Sequence, residues 1–310
     1  MPARAFFPAP TPNEPLKYAP CTPAACPLFH CPPPTPTLHK IRQLCRELLA
    51  PSQPRATTEA TMLRRLALLS LTAALGLFAC ASSPKTKALA ALRHPAAGTR
   101  SDTLLVFLPG AGDPPSAFVK HNFVAAVRER HAPVDILAVD AHVGYYLGRS
   151  LVDRLWQDII SPAKSAGYNE IWLVGISMGG LGALLFAQEH GESIDGIVLL
   201  APYLGKKRTL RAIAAAGVRN WQPDPKPGSF DYELWRWLKG YQQSNRSRPA
   251  LYLGYGTDDP SARAHALLAE LLPKTHIFTA PGDHDWTIWT PLWRRILASP
   301  EPPHFADRSK

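Results

Sequence analysis

Cysteine is missing from residue 81 onward: the five cysteines are Cys21, Cys26, Cys31, Cys45 and Cys80. The later part of the chain can therefore form no disulfide and no thiolate metal site. The first four sit among prolines at spacings that match no zinc motif, and neither a metal nor a dissociable cofactor is expected. Long apolar runs are also scarce. The longest, Leu66 to Ala79, has fourteen residues, and as a helix it would reach only ~21 Å of a ~30 Å hydrocarbon core. A permanent transmembrane helix is therefore the poorer reading there. A strong excess of basic charge is absent from the main part of the chain. The whole chain carries +10, but residues 81–310 hold 26 Lys/Arg against 21 Asp/Glu. Its one basic cluster, Lys206-Lys207-Arg208 with Arg211, lacks interleaved aromatics. It reads as a solvated helix face, so no nucleic-acid partner is expected.

Proline is abundant instead, and unevenly so: 14 of 33 prolines fall in the first 61 residues. Residues 1–61 lack a sustained apolar period, apart from a possible short amphipathic helix over Leu38–Leu49. They bury too little apolar surface to offset ordering entropy and are read as a disordered extension. At Met62 the pattern changes to Met-Leu-Arg64-Arg65, the apolar run, then Cys80-Ala-Ser-Ser-Pro. A basic segment, a short apolar segment and small residues are the layout of a secretory signal peptide over 62–80. Such a signal works from an N-terminus, so residues 1–61 are expected to reflect an upstream start. The ending Leu77-Phe78-Ala79-Cys80 resembles the lipobox of bacterial lipoproteins, with Phe78 where that motif has a small or β-branched residue. The resemblance implies acylation of Cys80. Ala81 after it resembles the arrangement sorted to the outer membrane of Gram-negative bacteria, facing the periplasm; without the anchor the protein would be periplasmic. Residues 81–100 are then a polar tether.

From residue 101 the apolar pattern alternates between strand and helix. Strands are predicted at Thr103–Leu108, Val134–Val139, Ile171–Val174, Ile194–Leu200, Ala250–Tyr255 and Thr275–Thr279. Helices are predicted at Ala117–Arg130, Leu151–Ala166, Gly180–His190, Ser261–Leu271 and about Trp286 to Ala298. Continuous apolar strands suit burial on both faces, and repeated βα units imply a mostly parallel sheet with helices on both sides. At its centre Gly175-Ile-Ser177-Met-Gly179 separates a strand from a helix. There the small residues let a strained serine project its hydroxyl clear of the sheet beside a helix N-terminus.

This order, with a Gly-rich turn (Pro109-Gly-Ala-Gly112) after the first strand, resembles the α/β-hydrolase fold over residues 101–300. The first two antiparallel strands of that fold look missing or reduced. The resemblance implies a triad in the order Ser177, acid, histidine, on loops at the carboxyl ends of strands. His284 is the histidine of the last such loop. Gly256-Thr257-Asp258-Asp259 offers two acids, with Asp259 favoured by its distance from the strand-end glycine and Asp258 the alternative. Ser177 would attack, His284 would move the proton and Asp259 would orient the imidazole. The backbone amides of Met178 and Ala111 would form the oxyanion hole. His121, His131, His142, His265 and His276 read as surface or structural residues, Asp140 as a loop or capping residue, and Asp285 as the cap of the last helix.

Residues 201–249 are the variable insert, read as a short cap, and 301–310 as a tail. The aromatics of Phe230–Tyr241 read as packing the cap onto the core, or as lining an acyl pocket. Together these readings imply an envelope-anchored serine hydrolase acting on a small-molecule or lipid-like ester or thioester. A peptidase or acyltransferase on the same triad is the alternative. A binding lipoprotein on an inactive scaffold is a third reading.

Overall fold

The computed structural model describes residues 87–96, 101–222, 229–242, 248–303 and 305. The expected extension, the signal segment, Cys80 and the Leu38–Leu49 helix lie outside the described residues. Among those that are described, no helix is long and apolar enough to cross a membrane.

Seven strands form one sheet: β1 (Ala91–His94), β2 (Thr103–Leu108), β3 (Asp135–Val139), β4 (Glu170–Ile176), β5 (Gly196–Leu200), β6 (Ala250–Gly256) and β7 (Ile277–Ala280). Their order is β1-β3-β2-β4-β5-β6-β7. All neighbours are parallel except β1, which runs antiparallel along β3 with Ala91 opposite Val139. Strand β2 shows why an uninterrupted apolar run was needed. Leu104, Val106 and Leu108 join the core on one face, Leu105 and Phe107 the core on the other, all buried. Alternation of side chains across a strand requires this when both faces are covered.

The helices are α1 (Ala117–Lys120), α2 (Phe123–Glu129), α3 (Val143–Leu147), α4 (Leu151–Arg154), α5 (Ser161–Ser165), α6 (Met178–His190), α7 (Lys207–Ala216), α8 (Phe230–Leu238), α9 (Ala262–Ala269) and α10 (Trp286–Leu297). Helix α6 is buried along nearly its whole length, as expected for a helix apolar on all sides. On the opposite face α10 seats Trp293 against Phe123, stacked at 5.6 Å, and its indole N–H donates to the Phe123 carbonyl at 3.1 Å.

Several expectations need correction. The tether over 81–100 is in part a component of the fold. Leu89 is buried and its N–H donates to Asp158 at 2.7 Å, and Ala91–His94 is the edge strand β1. The buried Asp135 carboxylate anchors this strand by accepting from the Ala96 N–H at 2.7 Å and from the Tyr168 hydroxyl. One of the antiparallel strands thought missing is thus present. The helix predicted over 117–130 breaks at Asn122, whose φ of 60° is left-handed. The run over 151–166 contains a π-helical stretch at Leu155–Ile160, and α3 went unread. Strands β5 and β7 begin at Gly196 and Ile277, two residues late in each case, after short 3₁₀ turns. The tail is not all peripheral: Phe305 is fully buried, 5.2 Å from Trp172 between ring centres.

In the insert, Trp235 is fully buried and donates to the Leu204 carbonyl at 2.8 Å, with Leu234 and Leu238 buried beside it. These side chains pack the insert onto the core, while Phe230 remains 40% exposed. Lys206, Lys207, Arg208 and Arg211 face solvent.

Candidate active site

The site forms at the carboxyl ends of β4, β6 and β7, where the sequence places Ser177, Asp259 and His284. Ser177 joins β4 to α6 with φ 51° and ψ −111°, a conformation that costs a non-glycine residue of order 1–3 kcal/mol. Two glycines make this turn possible. A Cβ on Gly175 would lie 2.5 Å from the Gly179 carbonyl oxygen, and one on Gly179 would lie 2.0 Å from that of Leu108. The Ser177 carbonyl accepts from the Tyr203 N–H at 2.9 Å, and its N–H donates to Leu200 at 2.9 Å. The serine is thereby tied to the segment that leaves β5.

His284 Nε2 lies 2.9 Å from Ser177 Oγ, and His284 Nδ1 lies 2.6 Å from Asp259 Oδ2. A carboxylate only accepts, so in the neutral imidazole Nδ1 carries the proton and Nε2 turns its lone pair to the hydroxyl. The Asp259 side chain is 1% exposed and that of His284 34%. The second oxygen of Asp259 accepts from the Ser261 N–H at 2.7 Å, which holds the carboxylate with both oxygens engaged.

Asp258 faces elsewhere. Its N–H donates to the Gly282 carbonyl at 2.9 Å, and its carboxylate accepts from the Gly282 N–H at 2.7 Å. This pair laces the β6 loop to the β7 loop and leaves Asp259 pointing inward. Asp285 caps α10 by accepting from the Thr287 N–H at 2.7 Å, and the Asp140 N–H donates to Ala90 at 2.8 Å.

The Gly-rich turn stands beside the serine. The Asp113 N–H closes it on the Gly110 carbonyl at 3.2 Å, and a Cβ on Gly110 would be 3.7 Å from Ser177 Cβ. Ala111 and Gly112 are the exposed residues of this turn. Met178 is the first residue of α6, where a helix leaves its N–H groups without an internal acceptor. A cleft of about 230 Å³ opens between Ala201–Tyr203 and Asp259–Ser261, with Ser177 and His284 on its floor. No cluster of metal-ligating side chains occurs among the described residues.

Sequence reasoning missed the setting of His265, one of the histidines it had grouped as surface or structural. It is fully buried on α9, and its Nε2 lies 3.0 Å from the Pro202 carbonyl. The carbonyl accepts, so Nε2 carries the proton and Nδ1 is buried without a partner. Burial pushes its pKa down to about 4, partly opposed by the charge of Asp259. This imidazole ties the acid-bearing side of the cleft to the segment that holds Ser177. No periodicity marks it, because its partner lies 63 residues away. His121 stacks on Trp286 at 4.4 Å, His276 on Tyr252 at 4.1 Å, and His142 caps α3 through its Nδ1. These are structural roles.

Comparison with solved structures finds distant likenesses. S-formylglutathione hydrolase (FrmB) from Staphylococcus aureus is 16% identical, with a TM-score of 0.44 over 63% of this chain and 78% of that one. Est1E from Butyrivibrio proteoclasticus is 16% identical, with a TM-score of 0.44 over 68% and 93%. The monoacylglycerol lipase of Paleococcus ferrophilus is 18% identical, with a TM-score of 0.43 over 64% and 91%. No curated protein matches the chain. The model of the alpha/beta hydrolase family matches residues 105–308. With that match over most of its length, and with a mostly parallel sheet flanked by helices, the chain belongs to the alpha/beta hydrolase family.

Proposed function

We propose that the protein is a serine hydrolase that cleaves a carboxylic ester or thioester through an acyl-enzyme. The observation that carries this reading is the unbroken chain from Ser177 Oγ through His284 to Asp259, at 2.9 and 2.6 Å. Ser177 Oγ attacks the carbonyl carbon while His284 Nε2 takes its proton. Asp259 holds the imidazole and stabilises the cation that forms. Developing charge on the carbonyl oxygen falls to the amides of Met178 and Ala111, each worth roughly 10²–10³ in rate. The tetrahedral species then expels the alcohol or thiol, which takes the proton from Nε2 and leaves Ser177 acylated. Water, deprotonated by the same imidazole, attacks the acyl carbon and restores the serine.

The setting belongs to the same proposal. Cys80, acylated after removal of residues 62–79, would anchor the enzyme to the outer membrane on the periplasmic side. A lipid-like ester is then a substrate within reach. Labelling by a fluorophosphonate probe that disappears in Ser177→Ala is the expected result, and equal labelling of both proteins would refute Ser177. An acyl-chain series of p-nitrophenyl esters beside matched amides separates esterase from peptidase. Incorporation of labelled palmitate, abolished in Cys80→Ser, tests the anchor.

A further inference from the structure

The cleft beside Ser177 has two walls, residues 201–203 and residues 259–261, and each is fixed in place. The Tyr203 N–H ties the first wall to the Ser177 carbonyl at 2.9 Å. Pro202 rests on α6, where a Cβ on Gly180 would lie 2.8 Å from the proline Cβ. In the second wall the Ser261 N–H donates to Asp259 Oδ1 at 2.7 Å, which folds the chain tightly around Pro260. His265 joins the two walls. Its backbone N–H donates to the Ser261 carbonyl at 3.1 Å, and its Nε2 donates to the Pro202 carbonyl at 3.0 Å. The side chain is fully buried, Nδ1 has no partner, and the steps proposed at Ser177 do not use it. A buried nitrogen without a partner lowers stability, so an apolar residue would fill the same space more favourably. What an apolar residue could not supply is the bond to Pro202.

We propose that His265 is a positioning residue that fixes the width of this cleft, and that the cleft limits one side of the ester to a short, uncharged chain. This rests on Ser177 being the nucleophile and narrows that reading to a substrate class. Volume sets the length. About 230 Å³ lies below the roughly 300–1,000 Å³ of sites that enclose drug-sized ligands. At roughly 30 Å³ for each water-sized group, it holds about seven or eight heavy atoms. Lining sets the polarity. The charge-bearing side chains of the cleft, Asp259 and His284, engage each other, and Ala201, Pro202 and Pro260 offer nothing to a charged group. The prolines, one in each wall, cannot swing aside as long side chains can. A longer chain therefore needs the walls to part, which the His265 bridge resists. Among lipid-like esters this favours those whose chain on that side is short.

The test uses the full chain and two substrate series, one for each side of the ester. These are p-nitrophenyl esters from acetate to dodecanoate, and acetates of straight-chain alcohols from methanol to dodecanol. In at least one series kcat/KM is expected to rise by up to about fourfold per methylene. It should then level or fall beyond about eight carbons. The quantity read is the ratio of kcat/KM for the ten-carbon and eight-carbon members, which does not depend on how much of the enzyme is folded. His265→Gln places an amide N–H where Nε2 stood and should keep the wild-type ratio. His265→Asn places it where Nδ1 stood and loses the bond to Pro202. Its ratio should rise by about tenfold as two more methylenes are buried. If the Asn variant does not fold, His265→Leu removes the donor while filling the space, with the same rise expected. An unbroken rise in both wild-type series, an unchanged ratio in the variants that lose the bond, or an equal rise in His265→Gln would each overturn the proposal. Ester turnover separates the two readings. If esters are hydrolysed and kcat/KM shows no break, only the role of His265 and the cleft fails. If none is hydrolysed and Ser177 is not labelled, the serine-hydrolase reading fails and takes this one with it.

Discussion

Gly179 presses its Cα side against the carbonyl of Leu108, so that an added Cβ would stand 2.0 Å from that oxygen. The end of β2 and the first turn of α6 therefore meet backbone to backbone, with Ser177 held between that contact and β5. Backbone cannot yield as a flexible side chain can. Gly179→Ala should cost at least ~3 kcal/mol, in the range of severe overpacking. Gly112 provides the contrast: its φ is +85° but nothing lies within 4 Å of its Cβ position. Gly112→Ala should cost only about 1 kcal/mol of torsional strain. Urea midpoints of the two variants measure both values, and similar losses would contradict the steric account.

Strain at Ser177 should be recoverable as stability. Ser177→Gly permits φ 51° without a Cβ penalty, whereas Ser177→Ala keeps the penalty. We expect the glycine variant to melt about 2–4 °C above the alanine variant, for roughly 1 kcal/mol relieved. Both should be inactive towards esters. A glycine variant that melts at or below the alanine variant would show that the turn is unstrained.

The two adjacent aspartates should separate sharply. Asp259→Asn removes the carboxylate on His284 Nδ1 and should lower kcat by about 10⁴ through the wrong imidazole tautomer. Asp258→Asn keeps an amide oxygen that can accept the exposed bond from the Gly282 N–H, so a loss under about tenfold is expected. Steady-state rates on one p-nitrophenyl ester decide it, and comparable losses would reassign the acid.

His265 should make stability depend on pH in a defined window. Its folded pKa, near 4, lies below the ordinary histidine value of 6.5 because burial disfavours the cation. The unfolded chain then binds the extra proton between these values, so stability is complete above pH 6.5 and falls as pH drops toward 4. The loss is about 3 kcal/mol across that range. His265→Gln, which can still donate to Pro202, should flatten this part of the curve. Guanidinium unfolding at stepped pH reads the difference, and identical pH slopes in both proteins would remove His265 as the cause.

Local pattern carried much of this protein into view. Short continuous apolar runs such as Thr103–Leu108 and Ile171–Val174 point to strands covered on both sides, because side chains alternate between the two faces of a strand. Gly175 and Gly179 around Ser177 declare a turn too tight for side chains. The order Ser177, Asp259, His284 followed from the resemblance those patterns carry. Other features have no local period. Strand β1 is four residues with an exposed edge, and only its register on β3 and the Asp135 anchor make it a strand. Phe305 looks like tail until Trp172 and Trp293 surround it. The sequence offered Asp258 and Asp259 side by side. Only the lacing of Asp258 to Gly282 turns one carboxylate outward and the other onto His284. The reason is physical: backbone preferences act over a few residues, whereas side-chain direction at a loop end is set by whichever distant chain packs against it.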